Sequence, residues 1–349
     1  MKRILLVAIA AVLAISMAVV GCAPDGNGNG DETYEIEIYT FMVGTSTYAF
    51  GTAMAQFLTE EGSFVDATVL ESPSSAVNTK LLIEDASTRD TVIGYVTPEQ
   101  ARAAIPPLDY DPPYEDVLHI AAFGQPFGGV LSNDPSIVEP EDLANKVIAV
   151  LSGVPGDPHP EVDALIASGA TNLTYAEYSF TGMIQALQDE VVDAASVSGF
   201  LLDPVNKLYA PNPALVELLE TADHLSYISP DEGAYQAADN ATGRPWILET
   251  VIPIGHFHET QLIPWRIRGT TIGWGCDAAM PDDVVYEFTK VMAENAHRFV
   301  DFHATGQAVS DSYMPRWTSM NNTEWWHPGA LQYYEDAGLI EYLGMPYTG

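Results

Sequence analysis

Short β-type runs alternate with helical patterns along most of this chain, and one proline-rich stretch breaks the rhythm. Glu35 to Val43 (EIEIYTFMV) reads as a strand, and Phe50 to Leu58 as part of a helix. Val65 to Leu70 is a second strand, a helix follows from about Ala76 to Asp85, and Val92 to Val96 is a third strand. Thr97-Pro98-Glu99-Gln100 combines a capping hydroxyl, a first-turn proline and Gln at the third position, which starts another helix. Such alternation predicts an α/β fold with a largely parallel sheet.

Ile105 to Pro113 (IPPLDYDPP) interrupts the pattern and is a candidate domain edge. A second α/β unit follows it. Leu118 to Leu131 is a long β-type run interrupted by Gly124-Gln125-Pro126. Glu141 to Asn145 is a short helix, Val147 to Leu151 a strand, Glu161 to Ala167 a helix and Leu173 to Tyr178 a strand. Gly182 to Asp189 reads as a helix and Ala194 to Val197 as a strand. After Leu202 the sequence is helical and polar as far as Thr242, then β-like at Thr250 to Ile254 and Thr270 to Trp274. An amphipathic helix runs from about Asp282 to Phe302, and no solenoid-length repeat is visible.

The N-terminus predicts export. Lys2 and Arg3 precede the uncharged run Ile4 to Val20, and Val19-Val20-Gly21-Cys22 closes it with small residues before a cysteine. A run of this length is close to the lower limit for a spanning helix, so an uncleaved anchor is the alternative. Val-Val-Gly-Cys resembles a bacterial lipoprotein processing site, in which the cysteine carries the lipid. Ala23 to Glu32 (APDGNGNGDE) then has the composition of a flexible tether. The other cysteine, Cys276, would have no disulfide partner once Cys22 is lipidated. No later segment is long and apolar enough to span a bilayer.

Without Lys2 and Arg3 the chain has 11 basic residues against 48 acidic ones, a net charge of −37. That field repels nucleic acid and anionic lipid, which excludes both as partners. The acids are scattered and lysine is scarce, a surface suited to high salt and a halophilic source.

Four strand-to-helix connections are rich in glycine and hydroxyls: Gly44 to Tyr48 (GTSTY), Ser72 to Ser75 (SPSS), Ser152 to Pro160 (SGVPGDPHP) and Ser179 to Gly182 (SFTG). In an open parallel sheet these loops gather at the carboxyl ends of the strands, where ligands bind. Hydroxyls and free N–H groups at helix starts suit an anionic group such as a carboxylate, unless each Ser or Thr only caps its own helix. The expected ligand-binding residues are Thr45, Ser46, Thr47, Tyr48, Ser72, Ser74, Asn78, Thr97, Asp157 and Ser198. Catalytic signals are weak. His256-Phe257-His258-Glu259 has spacing that could bind a metal, giving a secreted metal-dependent hydrolase as the alternative function, but no HExxH motif or third ligand is placed. There is no G-x-S-x-G elbow and no phosphate loop with its lysine, so no cofactor and no catalytic residue is expected. Cys276 reads as a buried small residue.

Several segments together resemble the TAXI solute receptors of TRAP transporters. Val43-Gly44-Thr45…Tyr48-Ala49-Phe50-Gly51 is similar to that family's first loop and helix. Glu71-Ser72…Ser75 with Asn78 and Leu81-Leu82 is similar to its second. Leu143 to Val150 with Gly153…Pro155-Gly156, and Ala186-Leu187…Asp193-Ala194-Ala195, resemble its central segments. Ile252-Pro253-Ile254-Gly255 and His327-Pro328-Gly329-Ala330…Tyr333-Tyr334 match two later motifs. The resemblance implies a type II periplasmic-binding-protein fold: two α/β lobes joined by two crossovers, closing on a small solute. It implies delivery to a TRAP membrane permease driven by an ion gradient, commonly of organic acids; the same fold can also serve an ABC permease or a sensor. Expected boundaries are 1–21 for the signal, 22–33 for the lipidated tether, 34–120 for the first lobe, 121–220 for the second and 221–349 for the return. Two departures stand out. The first loop lacks the family's paired glycines, and the third has Gly156-Asp157-Pro158-His159 where the family has G-S-G-T. Lys80, Arg266 and Arg268 are the candidate cations for an acid ligand.

Overall fold

The computed structural model describes residues 33–96, 101, 114–124, 126–151, 159–203, 208–242, 248–269, 272–310, 314–316 and 323–343. The signal segment, Cys22, the tether up to residue 32 and the helix start at Thr97 lie outside them, and no helix of the described residues is long and apolar enough to cross a membrane.

Two sheets are built on one plan. In the first, β1 (Tyr34–Tyr39), β2 (Val65–Leu70) and β3 (Val92–Tyr95) are parallel and linked by α1 (Ser46–Glu60) and α2 (Ser75–Glu84). β13 (Ile272–Asp277) runs antiparallel between β3 and β4 (Val117–Gly124), giving the order β2-β1-β3-β13-β4. In the second, β6 (Val147–Leu151), β7 (Thr174–Tyr178) and β8 (Ala194–Asp203) are parallel, with α3 (Pro160–Ala167) and α4 (Phe180–Gln188) between them. β5 (Pro126–Ser132) runs antiparallel between β8 and β12 (Trp265–Gly269), so the order β7-β6-β8-β5-β12 repeats the first sheet's, with β11 (Leu248–Ile252) added at the edge. β9 (Leu208–Pro211) pairs with β8 and β10 (Ser226–Ile228) with β5. In each sheet the antiparallel fourth strand has crossed over from the other, between β4 and β5 going out and between β12 and β13 coming back. This is the expected type II periplasmic-binding-protein fold: two α/β lobes with a two-crossover hinge.

Each sheet is covered on both faces, as largely parallel sheets require. Ile36, Ile38, Ile93, Ile120 and Trp274 meet α1, α7 (Asp282–Glu294) and α8 (Pro328–Asp336) on one side of the first sheet, while Leu82 of α2 packs with Val92 and Val117 on the other. Phe50 lies edge-on to Phe123 and Phe299, with ring centroids 5.4 and 5.1 Å away. In the second sheet Val130, Ile148 and Val150 face Val162 and Leu165 of α3; Phe127, Ala149 and Trp265 face α4 and α5 (Pro213–Thr221). α6 (Ala234–Thr242) lies against α3.

Most expected elements appear within a few residues of their places, with three corrections. The stretch from residue 221 expected in the first lobe's return stays in the second sheet as far as Gly269, because β10, β11 and β12 pair there. The polar stretch from 202 to 242 is not continuously helical; β9 and β10 interrupt it. The helix expected to reach Phe302 ends at Glu294, where the Asn295 side chain donates to the Val291 carbonyl at 3.0 Å and the chain tightens into a 3₁₀ turn, Ala296–Asp301.

The His-Pro-Gly-Ala motif is a packing device. His327 is fully buried at the N-cap of α8, accepts from Gly329 N–H at 3.2 Å and donates from Nε2 to the Met280 carbonyl at 3.0 Å. A side chain at Gly329 would fall 2.1 Å from the Asp282 carbonyl oxygen, so glycine lets α8 sit against the start of α7. His327 N–H donates to the His119 carbonyl and Tyr334 Oη to the Ile120 carbonyl at 2.6 Å, which covers the exposed edge of β4.

Candidate functional site

The parallel strands of both sheets end at the side where the chain crosses. Tyr95, the last residue of β3, faces Trp274, two residues into β13 after the return crossing. Ser198 on β8 faces Gly128, two residues into β5 after the outward crossing. The ligand-bearing edges of two α/β units therefore lie next to the same pair of crossings.

Seven of the expected residues gather at the first sheet's edge. Thr45 caps α1: its Oγ1 accepts from Tyr48 N–H and donates to the Met42 carbonyl at 2.6 Å. That leaves Thr47 as the donor in the 3.0 Å bond between the Thr45 and Thr47 hydroxyls. Ser74 caps α2 by accepting from Val77 N–H at 3.2 Å, and Ser72 Oγ donates to the Ser74 carbonyl at 3.1 Å. Ser46, Thr47, Ser72 and Ser74 are all buried. Tyr48 is half-buried. The hydroxyl protons of Thr45, Thr47 and Ser72 are thus spent within the loops. The first-turn N–H groups of α1 and α2 that these caps do not take are donors this edge can offer a ligand.

Asn78, 1% exposed, ties α2 to the ends of β1 and β3. Its Nδ2 donates to the carbonyls of Tyr39, Thr40 and Tyr95 at 3.3, 3.0 and 2.8 Å, while Oδ1 is buried without a partner. Asn78 is expected as a ligand contact; its amide here braces the ends of β1 and β3. Glu71 was passed over; its Oε1 accepts from Val43 N–H at 2.9 Å and joins the first two loops. Met42 and Val43 stand beside it, 48% and 63% exposed, so the rim of this edge is apolar.

At the second sheet's edge Ser179 caps α4 through Gly182 N–H at 3.1 Å, and Ser198 is half-buried on β8. Thr97 and Asp157 lie outside the described residues. The three candidate cations differ in setting. Lys80 makes an exposed pair with Glu84 at 3.4 Å. Arg266 bonds Glu249 at 2.6 Å. Arg268 Nε donates at 2.5 Å to Glu161 Oε1, a carboxylate only 3% exposed. Gly128 makes room for this pair: a side chain there would meet Glu161 Oε1 at 2.2 Å and the guanidinium carbon at 3.2 Å.

The histidine pair belongs to a braced hairpin loop between β11 and β12. His258 Nδ1 lies 2.9 Å from the Thr260 hydroxyl, which bonds Tyr227 at 2.7 Å, and buried Gln261 donates to the Ile252 and Ile263 carbonyls. Among the described residues no three His, Cys, Asp or Glu side chains gather closely enough to hold a metal ion. Cys276 is fully buried, and burial pushes its thiol pKa well up, away from reactivity.

The NMT1-like family matches residues 38–338, nearly the whole described chain. The chain belongs to that family. No curated protein matches its sequence. Among solved structures, the periplasmic binding protein BugD is 12% identical with TM-score 0.48, covering 88% of this chain and 94% of its own. A TctC solute binding protein from Polaromonas is 14% identical with TM-score 0.46, covering 88% and 98%. MatC from Rhodopseudomonas palustris, solved with bound malate, is 14% identical with TM-score 0.44, covering 88% and 96%. The architecture of this NMT1-like chain is defined here by its own strand order and crossings.

Proposed function

We propose that this NMT1-like chain is an exported, non-enzymatic solute receptor, held outside the cytoplasm by a lipid on Cys22. It captures a small polar solute, an organic acid or amino acid, between its lobes and presents it to a TRAP permease driven by an ion gradient. The observation that carries this reading is the pair of carboxyl edges set beside one double crossing, with two capped helix starts, α1 and α2, at the first. Hinge closure about two short crossings buries a ligand and reshapes the outer surface in one motion, which is what a permease can recognise. The resemblance to TAXI receptors supports the permease type.

In this reading Thr45, Ser46, Thr47, Tyr48, Ser72, Ser74, Asn78, Thr97, Asp157 and Ser198 line the cleft, with the first-turn N–H groups holding the polar end of the solute. Replacing Thr45 and Ser74 together by alanine frees those turns and weakens binding at least tenfold while the chain stays folded; unchanged affinity removes these loops from the site. The reading itself is tested by thermal unfolding of the chain from Ala23, in low and high salt, against carboxylates, amino acids and neutral solutes. A solute at ~100 times its dissociation constant adds about 2.7 kcal/mol, a shift of a few degrees for a chain this size. A shift with one class supports the receptor and identifies its solute. No shift with any compound in either salt overturns it.

A further inference from the structure

Resting on the receptor reading, we propose that the solute carries a hydrocarbon body, aliphatic or aromatic, which lies against Met42 and Val43 of the first lobe and Tyr178 and Phe180 of the second. The loop after β1 keeps its apolar side chains in water and its hydroxyls covered. Met42 and Val43 are 48% and 63% exposed, whereas Ser46 and Thr47 beyond them are buried. The exposed pair is held on both sides. Val43 N–H donates to Glu71 Oε1 at 2.9 Å, and the Met42 carbonyl accepts from Thr45 N–H at 3.1 Å and from Thr45 Oγ1 at 2.6 Å. Gly44 makes the turn between them at φ +89°, a conformation open to glycine at no steric cost. Single apolar side chains scattered over a surface mean little, but a fixed adjacent pair at a ligand-bearing edge is a contact surface.

The loop between β7 and α4 repeats the pattern in the second lobe. β7 ends at Tyr178 and α4 begins at Phe180; both rings rest on the second lobe's core and stay half-buried. Between them the Ser179 hydroxyl accepts from Gly182 N–H at 3.1 Å as the helix cap. These segments also lack charge. Phe41 to Ala49 (FMVGTSTYA), Ser72 to Thr79 (SPSSAVNT) and Tyr178 to Gln188 (YSFTGMIQALQ) contain no charged residue, in a chain with 48 acidic and 13 basic ones. Glu71, which adjoins the second of them, has its Oε1 on Val43 N–H. A polyhydroxy or doubly charged solute would leave polar groups unpaired against such walls, a desolvation cost without return. A hydrocarbon body instead gains roughly fourfold in affinity for each methylene it buries. The ligand class that follows is a monocarboxylate or amino acid with an aliphatic or aromatic body, its polar end on the first-turn N–H groups and its length along the apolar side chains.

The test measures affinity by calorimetry along two series, butyrate, hexanoate and octanoate, and alanine, valine and leucine, beside the thermal screen. In the wild-type chain affinity rises along whichever series binds, by roughly fourfold per added methylene. The double variant Met42→Gln with Val43→Thr keeps size and changes only exposed positions, so the chain folds as before. It loses at least tenfold affinity for octanoate or leucine and progressively less for the shorter members. Phe180→Thr flattens the same rise from the other lobe. An unchanged rise in either variant, or a loss equal for every member, overturns the assignment, as does a wild type that binds short and long members alike. Should Phe180→Thr not fold, the exposed pair alone decides. Binding of succinate or glutamate without either series removes this inference and leaves the receptor standing, whereas silence across both series and the whole thermal panel removes both.

Discussion

The two carboxyl edges share a strand plan and differ in chemistry. At the first, order comes from neutral bonds: Thr45 and Ser74 cap helices, Asn78 ties the ends of β1 and β3, and Glu71 only accepts a backbone N–H. The second is held by ion pairs crossing from helix or strand to strand: Glu161 with Arg268 and Glu249 with Arg266. Neutral caps are each replaceable at small cost, while a buried ion cannot lose its partner without leaving a charge in a poor solvent for it. The first edge is thus a tolerant wall and the second an intolerant one, although topology alone makes them equivalent.

The comparison breaks most readily at Arg268. Arg268→Met strands the Glu161 carboxylate and costs about 3–5 kcal/mol in urea unfolding. The double variant with Glu161→Gln recovers most of that loss. Equal costs for the single and double variants would contradict the ionic account of this edge. Thr45→Ala and Ser74→Ala, measured the same way, cost about 1 kcal/mol each; either matching Arg268→Met would erase the contrast. The smallest effect is a pH dependence. Burial holds the His327 pKa below the ordinary 6.5, against an opposing pull from Asp282. The unfolded chain therefore takes up the proton first as pH falls through 6.5, so the stability that neutral His327 contributes is full above that value and drains below it. His327→Asn keeps a capping side chain but does not titrate, so its deficit at pH 8 narrows when the pH is taken to 5. A deficit that widens on acidification contradicts the buried neutral form.

How legible this was in the sequence depended on the range of the interaction involved. Capping is local, so Thr45, Ser74 and Ser179 could be placed from their spacing to the helix that follows. The parallel strands were equally readable, because each is a short apolar run before a helix. The partnership of Glu161 with Arg268 spans 107 positions and left no local trace. Its one signal is Gly128-Gly129 inside a strand, since glycines in strand interiors mark close approach of another group. A side chain at Gly129 would meet the Trp265 ring at 2.3 Å, so the two glycines serve opposite faces. The placement of β10 to β12 in the second sheet was hidden for the same reason, as antiparallel edge strands carry no mark of the sheet they join. In the C-terminal motif the family resemblance located His327 and Gly329, and only the packing of α8 on α7 gave them a physical role.

The central claim is that two lobes move about the paired crossings to enclose a solute. It is tested most directly by a distance measurement between spin labels at Lys80→Cys on α2 and Gln185→Cys on α4, both exposed and in different lobes. Cys276 is buried and stays unlabelled. With the solute that raises the unfolding midpoint, the account predicts a displaced and narrower distance distribution, reached at the same concentration as the thermal shift. The same distribution with and without bound solute would contradict it.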